Sequence, residues 1–281
     1  MTEPDHSYCI EQVRRHDRDR YLTCLFAPAD RREALFALYA FNLEVAKTAE
    51  IVSEPTIGRI RLQWWREAID NIYAGTPAEH QVVAPLHAAI VGHGLPREPF
   101  ERLIDAREAD LDGEPPATLD ALESYADATS SGLLHLALDI LGDHGERARD
   151  AARHVGIAYA LAGLLRAIPF HARQKRLYLP GEVIRDAGIE IGDLFELRPS
   201  AALSAAVERV AMRAQNHLAR ARALRAEVPR TALPALLPAV LAQMHLKVLR
   251  NSGCDPFAPV VQRDRPGQVW RLAWANLIGR Y

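Results

Sequence analysis

The sequence predicts an all-α fold, and two observations carry that prediction. Nearly every segment longer than ten residues spaces its apolar residues as one face of a helix. Alternating runs of β-branched and aromatic residues, which would indicate strands, are almost missing. Proline and glycine separate the helical segments. We therefore predict a bundle with helices over 30–49, 55–73, 80–92, 97–111, 118–141, 147–168, 200–226, 230–250 and 267–278.

Two polar residues indicate where helices begin. Asp30 and Thr118 each precede a periodic segment, and a short polar side chain there can accept a hydrogen bond from a free main-chain amide. The stretch 178–199 has only weak periodicity, so we predict a loop with short helical turns there. No repeat or Gly/Ser linker interrupts the chain, and we predict a single domain over residues 1–281.

Composition and charge exclude several classes of protein. The 281 residues are 49% hydrophobic and 25% charged, with a formal net charge of -2, which excludes disorder and binding of nucleic acid by bulk charge. The three cysteines lie far apart, which favours a reducing compartment. The first residues lack a leader pattern, and the longest apolar run, 155–165, is too short to cross a bilayer. We therefore expect a cytoplasmic location.

Carboxylates at helical spacing are the natural candidates for a metal site in an all-α protein. One segment supplies them in number, as an acidic stripe formed by Glu101, Asp105, Glu108 and Asp112. Arg102 and Arg107 alternate with these acids, so we favour a solvated, salt-bridged face over a metal site.

The helix predicted at 147–168 could not supply a second acidic cluster, because neither Asp nor Glu occurs from 151 through 180. Its polar end is cationic instead, with Arg166, His171, Arg173, Lys175 and Arg176. Such a patch could hold phosphate, an acidic partner or anionic lipid. Cations at the C-terminal end of a helix also complement the helix dipole, and we favour that simpler interpretation.

Several short signatures occur in a fixed order over about residues 8–250. They are Leu38-Tyr-Ala-Phe-Asn42, Gln63-Trp-Trp-Arg-Glu67, Tyr125, Gly156 with Leu165-Arg166, and Arg176-Leu-Tyr-Leu-Pro180. This order and spacing resemble the squalene and phytoene synthases. The resemblance implies an isoprenoid-synthase-like helical bundle with a central cavity. It also implies two facing aspartate-rich motifs that bind magnesium and the diphosphates of two prenyl substrates.

The sequence departs from that family at both motifs. The first reads Ala46-Lys47-Thr48-Ala49-Glu50, with one acid, and the second reads Ala167-Ile168-Pro169-Phe170-His171, with none. Mg²⁺ needs a shell of hard oxygen ligands, so we predict no catalytic residues, no metal and no cofactor. The resemblance leaves a remnant pocket of Tyr39, Glu50, Tyr125, Arg166 and Tyr178, and we assign Tyr125 a packing role with a hydrogen-bonded hydroxyl.

One branch of the family shows the same departures. The segments 41–45, 53–58, 61–65, 105–112 and 166–169 resemble complex I assembly factor 6. This resemblance implies a non-catalytic protein, a pseudoenzyme that assists assembly of respiratory complex I, with complex I subunits or assembly intermediates as partners. The location would be the inner face of the membrane, or the matrix side for a processed mitochondrial protein.

Two alternative functions stay open. One is a head-to-head prenyltransferase of the squalene or phytoene synthase type, which would need magnesium. The other is a module that binds an isoprenoid or quinone tail. For that module, the small residues Ala158, Ala160, Ala162 and Gly163 would leave room for a chain, although they also suit close helix packing.

The C-terminal segment could contact a membrane surface. Its apolar residues have helical spacing and include two tryptophans, at Val269, Trp270, Ala273, Trp274, Leu277 and Ile278. A basic helix precedes it, with arginines at 209, 213, 220, 222 and 225. We favour a terminal helix packed on the core and a solvated basic face. Exposed tryptophans would instead favour peripheral membrane contact.

Overall fold

Helices account for the regular structure of the chain, and no strand occurs in residues 6–52, 54–263 and 267–281, which this computed structural model describes. In chain order the helices are α1 (His6–His16), α2 (Arg18–Cys24), α3 (Ala29–Ala46), α4 (Thr48–Ile51), α5 (Pro55–Tyr73), α6 (Val83–His93), α7 (Glu98–Glu108), α8 (Leu119–Ala126), α9 (Gly132–Leu141), α10 (Glu146–Arg166), α11 (Ile168–Arg173), α12 (Gly181–Ala187), α13 (Ile191–Phe195), α14 (Ala201–Ala223), α15 (Leu233–Leu236), α16 (Pro238–Asn251), α17 (Pro259–Gln262) and α18 (Gln268–Ile278). The first residues, considered above for a leader, and Ser53 of one signature lie outside the described residues.

The predicted fold class is confirmed, while several helix boundaries differ. Thr118 caps α8 as predicted, because its hydroxyl accepts a hydrogen bond from the Ala121 amide. Asp30 does not cap α3. The helix begins one residue before Asp30, which lies in the first turn, where a carboxylate complements the helix dipole. The predicted loop at 178–199 contains the short helices α12 and α13, as expected.

Several predicted helices are interrupted, among them 30–49 at Lys47 and 230–250 at Leu237, and helices near the N-terminus were missed. The segment 118–141 is divided by a π-helical turn at 127–131. The segment 147–168 ends at Arg166, and α11 begins at Ile168, where the ring of Pro169 can occupy the first turn without losing a helical hydrogen bond. Helices α1 and α2 were not predicted, since dense charge hides their apolar residues.

Helix α10 lies at the centre of the bundle and packs on α9, α14 and α16. Its Gly156 allows the closest approach, because a Cβ there would lie 2.6 Å from the Cα of Ser131 in the π-helical turn. The small residues Ala158 and Ala162 are fully buried in the core. Here they serve close helix packing, whereas Ala160 is only partly buried and Gly163 has no atom within 4 Å of the place that a Cβ would occupy. The alternative of a module that binds an isoprenoid tail stays a prediction.

Helix α3 is the second central element, and its packing positions the site. The ring of Phe41 contacts Trp65 of α5 and Phe100 of α7 edge-on, each with a centroid distance of 5.4 Å. These contacts fix α3 relative to the pair α5 and α7, which carry the arginines and acids described below. The C-terminal end of α3 therefore has a defined position opposite the end of α10.

The described part of the chain has no single helix that is long and apolar enough to cross a membrane. The segment Arg230–Leu236 passes the length and composition test only together with α16, and the two are bent by 42°. Most apolar residues of this pair are buried in the protein core.

Candidate functional site

The two segments that stand in place of the aspartate-rich motifs face each other across a small enclosed space, here called the motif cavity. Its volume is about 170 Å³, below the ~300 Å³ at which ligand pockets usually begin. One side is formed by the end of α3 and by α4, with Ala46 and Glu50. The opposite side comes from α10 and from α11 and the residues after it, including His171 and Tyr178.

A buried carboxylate, Asp110, organises the floor of the motif cavity. Its Oδ1 accepts hydrogen bonds from the hydroxyls of Tyr125 at 2.8 Å and Tyr178 at 3.0 Å. Its Oδ2 pairs with the Arg107 guanidinium at 3.1 Å. Burial, with the Asp110 charge adding to it, raises the pKa of both tyrosines, so both hydroxyls stay protonated. The Tyr125 hydroxyl is thus hydrogen-bonded, and its packing role stays a prediction.

His171 and Arg176 complete the wall of the motif cavity. The Arg176 guanidinium donates to the main-chain oxygen of Ala49, which ties the two facing segments together. Burial lowers the pKa of His171 to about 4; the nearby arginines add to this, while Asp110 opposes it. The imidazole is therefore neutral near pH 7.

These side chains do not fit a magnesium ion. Mg²⁺ prefers an octahedral set of oxygen ligands. The carboxylates that line the motif cavity belong to Glu50 and Asp110, and Asp110 is already occupied by two hydroxyls and a guanidinium. Arg107 and Arg176 line the same space and would repel a divalent cation. In residues 6–52, 54–263 and 267–281, no group of three or more His, Cys, Asp or Glu side chains could hold a metal ion.

The acidic stripe forms a salt-bridged surface, as predicted, but with different partners. Arg66 of α5 pairs with Asp105 at 2.9 Å and with Glu108 at 2.7 Å. Arg59, also on α5, pairs with Asp112 at 2.5 Å. The interleaved Arg102 and Arg107 bond elsewhere, because helix geometry turns them away from the acids beside them in sequence.

A second, larger cavity of about 620 Å³ opens between α1, α2, the end of α10 and α17. We call it the arginine pocket, after the four arginines among its lining residues, which are Arg15, Arg18, Arg166 and Arg263. Within the described ranges, neither Arg18 nor Arg263 has an ion-pair partner. The pocket therefore presents guanidinium groups that could bind phosphate or carboxylate.

A hydrogen-bonded network forms the floor of the arginine pocket. His245 Nε2 lies 3.3 Å from Asp19 Oδ2 and 3.5 Å from the Arg166 guanidinium. Gln268 of α18 donates to Asp19 Oδ1 at 2.5 Å. Burial would raise the pKa of Asp19, but the bond from His245 and the charge of Arg166 outweigh it and lower the pKa to about 2. Asp19 is thus ionised, and its charge attracts the Arg166 guanidinium.

The structure divides both residue sets predicted from the sequence. In the remnant pocket, Glu50 and Tyr178 line the motif cavity and Tyr125 lies behind it, while Arg166 lines the arginine pocket. Tyr39 is buried beneath the Arg20 guanidinium, 5.4 Å from its ring centroid. The five residues therefore do not share one pocket, and their functional roles stay predictions.

The predicted anion or partner patch is also not a single patch. Arg166 reaches the arginine pocket, His171 and Arg176 line the motif cavity, and Arg173 and Lys175 lie exposed on the surface. The reason is that α10 ends before α11 begins, so these side chains point in three directions.

Sequence reasoning missed the residues that organise both cavities. Asp110 lies between acids of the stripe, and no spacing rule separates one buried carboxylate from its exposed neighbours. The charged run Arg14-Arg15-His16-Asp17-Arg18-Asp19-Arg20 was an available signal for the arginine pocket. His245 and Arg263 are too distant in sequence to be joined to that run without the fold.

Comparisons with known proteins agree with this architecture. The family model described as squalene/phytoene synthase matches residues 13–276. Squalene synthase HpnC from Alicyclobacillus acidocaldarius has a similar structure, with a TM-score of 0.79, 23% identity and coverage of 90% of this chain and 95% of that one. At this identity the likeness concerns the fold alone.

Two groups of sequence relatives differ in their names. A bovine (Bos taurus) protein named complex I assembly factor 6 is 36% identical over 95% of this chain and 81% of its own length. A presqualene diphosphate synthase of Rhodopseudomonas palustris is 30% identical over 85% of this chain and 86% of its own length. The resemblance inferred from the signatures is thereby confirmed for the family and for the assembly-factor branch.

Proposed function

This chain belongs to the squalene/phytoene synthase family, and we propose that it assists assembly of respiratory complex I without catalysing magnesium-dependent prenyl transfer. The observation that carries the proposal is the lining of the motif cavity. Arginines, a neutral histidine and an Asp110 that is already paired with an arginine lie where the resemblance to the family implies aspartate-rich motifs. The names of the assembly-factor relatives, with 36% identity for the bovine protein, support the same function.

The charges that line the motif cavity disfavour magnesium-dependent ionisation of a prenyl diphosphate. A diphosphate leaving group carries several negative charges, which magnesium ions neutralise in the active members of the family as the resemblance implies. Among the described residues that line the motif cavity, Glu50 is the one carboxylate that no tyrosine or arginine bonds. One free carboxylate beside the guanidinium groups of Arg107 and Arg176 is a poor anchor for the magnesium ions that would neutralise a diphosphate.

Deletion of the gene in the source cell tests the assembly role. We expect lower NADH:ubiquinone oxidoreductase activity in isolated membranes, with unchanged succinate oxidation as the matched control. Re-expression of the chain should restore the NADH-dependent activity. Equal NADH-dependent activity in deleted and parental cells would contradict the proposal.

The arginine pocket supports a second candidate function, the binding of a phosphate-bearing isoprenoid. Its volume of about 620 Å³ lies within the range of ligand pockets. Arg18 and Arg263 offer guanidinium groups without ion-pair partners in the described structure, and Arg166, 3.5 Å from His245, lines the same pocket. Charge-assisted bonds from three arginines could hold a diphosphate without a metal ion.

Calorimetry with farnesyl diphosphate tests this second function. We expect binding without Mg²⁺ and an affinity about tenfold lower for Arg18→Gln, from the loss of one charge-assisted bond. Arg173→Gln, which removes an exposed arginine outside the pocket, is the matched control. Absence of heat change, or equal affinity of the two variants, would contradict binding in the pocket. A coupled hydrocarbon product formed with Mg²⁺ would contradict the non-catalytic function.

A further inference from the structure

Helix α18 turns an apolar face outward. Trp270, Trp274 and Leu277, spaced four and three residues apart, are 79%, 63% and 68% exposed. Leu272 and Ala275 on the opposite face are buried against the protein, where α18 meets α16. The prediction of a terminal helix packed on the core thus holds for one face, and it is wrong for the tryptophans. We call the outward side, with Val269 and Ile278 at its margins, the tryptophan face.

The tryptophan face has a fixed orientation, because hydrogen bonds to other elements hold α18 at both ends. At the N-terminal end Gln268 donates to Asp19. At the C-terminal end the Arg230 guanidinium donates to the main-chain oxygen of Leu277 at 2.8 Å, and the Tyr281 hydroxyl donates to that of Ala221 at 3.1 Å. A helix held this way presents its apolar side chains outward as a stable surface. Exposed apolar surfaces of this kind mark interaction sites.

Arginines border the tryptophan face. A hollow of about 570 Å³ lies between α14, α16 and α18, and its charged lining residues are Arg222, Arg225, Arg271 and Arg280. The lining contains neither Asp nor Glu. Arg222 donates to the main-chain oxygen of Tyr281 at 3.4 Å and to the side-chain oxygen of Gln243 at 2.9 Å, and no Asp or Glu pairs with the four arginines among the described residues. Burial lowers the pKa of Arg222, and the charge of Arg225 adds to this. The hollow therefore has an excess of positively charged side chains next to an apolar surface.

We propose that the tryptophan face and these four arginines form a docking surface for a bilayer of anionic phospholipids. Indole rings favour the headgroup level of a membrane, because one edge is apolar and the N–H remains hydrogen-bonded. Guanidinium groups bind phosphate with paired hydrogen bonds. An apolar stripe bordered by arginines and free of acids thus matches a layer of phosphates above acyl chains. This surface is independent of both cavities and of the proposed assembly function.

Vesicle flotation tests the docking surface. The full chain should bind phosphatidylcholine vesicles that contain phosphatidylglycerol, and binding should weaken as salt is raised. Trp270→Gln with Trp274→Gln should lower the partition coefficient at least about tenfold, through the loss of two interfacial side chains. The matched control is Ile60→Gln with Val91→Gln, which removes two apolar side chains of similar exposure, 64% and 67%. All four substituted residues are exposed, and circular dichroism should show unchanged helix content.

A charge variant provides an independent test. Arg271→Gln with Arg280→Gln should lower binding to the anionic vesicles by about fivefold for each arginine. Arg173→Gln with Lys175→Gln removes two exposed positive charges elsewhere and should leave binding near the wild-type value.

Three outcomes would overturn the docking surface. The first is no binding of the wild-type chain to anionic vesicles. The second is equal binding by the wild-type chain and the tryptophan variant. The third is a wild-type dimer in light scattering that the tryptophan variant dissociates, which would assign the face to a second copy of the chain.

Discussion

Asp110 shows how one side chain sets the chemistry of the motif cavity. It accepts hydrogen bonds from Tyr125 and Tyr178 and forms a buried ion pair with Arg107. These bonds use the oxygens that a metal ion would need. They also make the carboxylate structural, because its removal would leave a largely buried guanidinium without a counter-charge.

Asp110→Asn should therefore destabilise the protein strongly. Asparagine keeps the shape and one acceptor oxygen but removes the charge beside Arg107, so we expect a loss of about 2–4 kcal/mol in the free energy of unfolding. Urea denaturation measures this. Asp105→Asn, which affects an exposed pair with Arg66, should cost less than about 1 kcal/mol. Equal losses for the two variants would refute the structural role of Asp110.

The neutral His171 predicts a pH dependence of stability. Its pKa is about 4 in the folded protein, chiefly because it is buried, and about 6.5 in an unfolded chain. Between these values only the unfolded chain binds the proton, so stability falls as pH falls from 6.5 to 4. From pH 7 to pH 4 the wild type should lose about 3 kcal/mol more than His171→Gln in urea denaturation. Parallel losses would show that His171 titrates normally in the folded protein.

Exposed residues were easier to predict from sequence than buried ones. The salt-bridged character of the acidic stripe followed from alternating charge. The burial of Asp110 did not, because it depends on Tyr125 and Tyr178, which lie 15 and 68 residues away along the chain.

At the scale of elements, α10 combines a close packing contact with an open position. Near its middle, Gly156 lies against the main chain of Ser131 in the π-helical turn. Gly163, two turns later on the same helix, has no atom within 4 Å of the place that a Cβ would occupy. Close packing thus requires glycine at 156 but not at 163, although both residues lie within the same helix.

Alanine at these two glycines should have opposite effects. Gly156→Ala should destabilise the protein by about 1–3 kcal/mol, because the methyl group would collide with main-chain atoms that cannot move freely. Gly163→Ala should stabilise it by up to about 1 kcal/mol through better helix propensity. Thermal unfolding of both variants measures the difference. A stabilising Gly156→Ala would contradict the close packing of α10 on the π-helical turn.

The elements that sequence periodicity predicted well are those with a clear apolar face. Helix α5 was predicted within its observed bounds, Pro55–Tyr73. The tryptophan face of α18 was not predicted to be outward, because periodicity identifies an apolar face and cannot say whether the protein or another surface covers it.

At the scale of the whole molecule, the family fold is retained, while the segments 46–50 and 167–171 together carry a single acid. The signatures predicted the bundle because they occur in a fixed order along the chain, on α3, α5 and α10 among other elements. They could not predict two separate cavities, since the arginine pocket forms only where α1 and α2 meet α17 and α18 in space. The fold alone is compatible with either function of the relatives, so the function depends on the site.

Complementation of the deletion strain tests the central claim most directly. The strain would express either the wild-type chain or Glu50→Gln, which removes the one unengaged carboxylate of the motif cavity. The measurement is the amount of assembled complex I on native gels. We predict a low amount in the deletion strain and restoration by both chains. Normal complex I in the deletion strain would contradict the assembly function. Restoration by the wild-type chain but not by Glu50→Gln would contradict the claim that assembly does not depend on the Glu50 carboxylate.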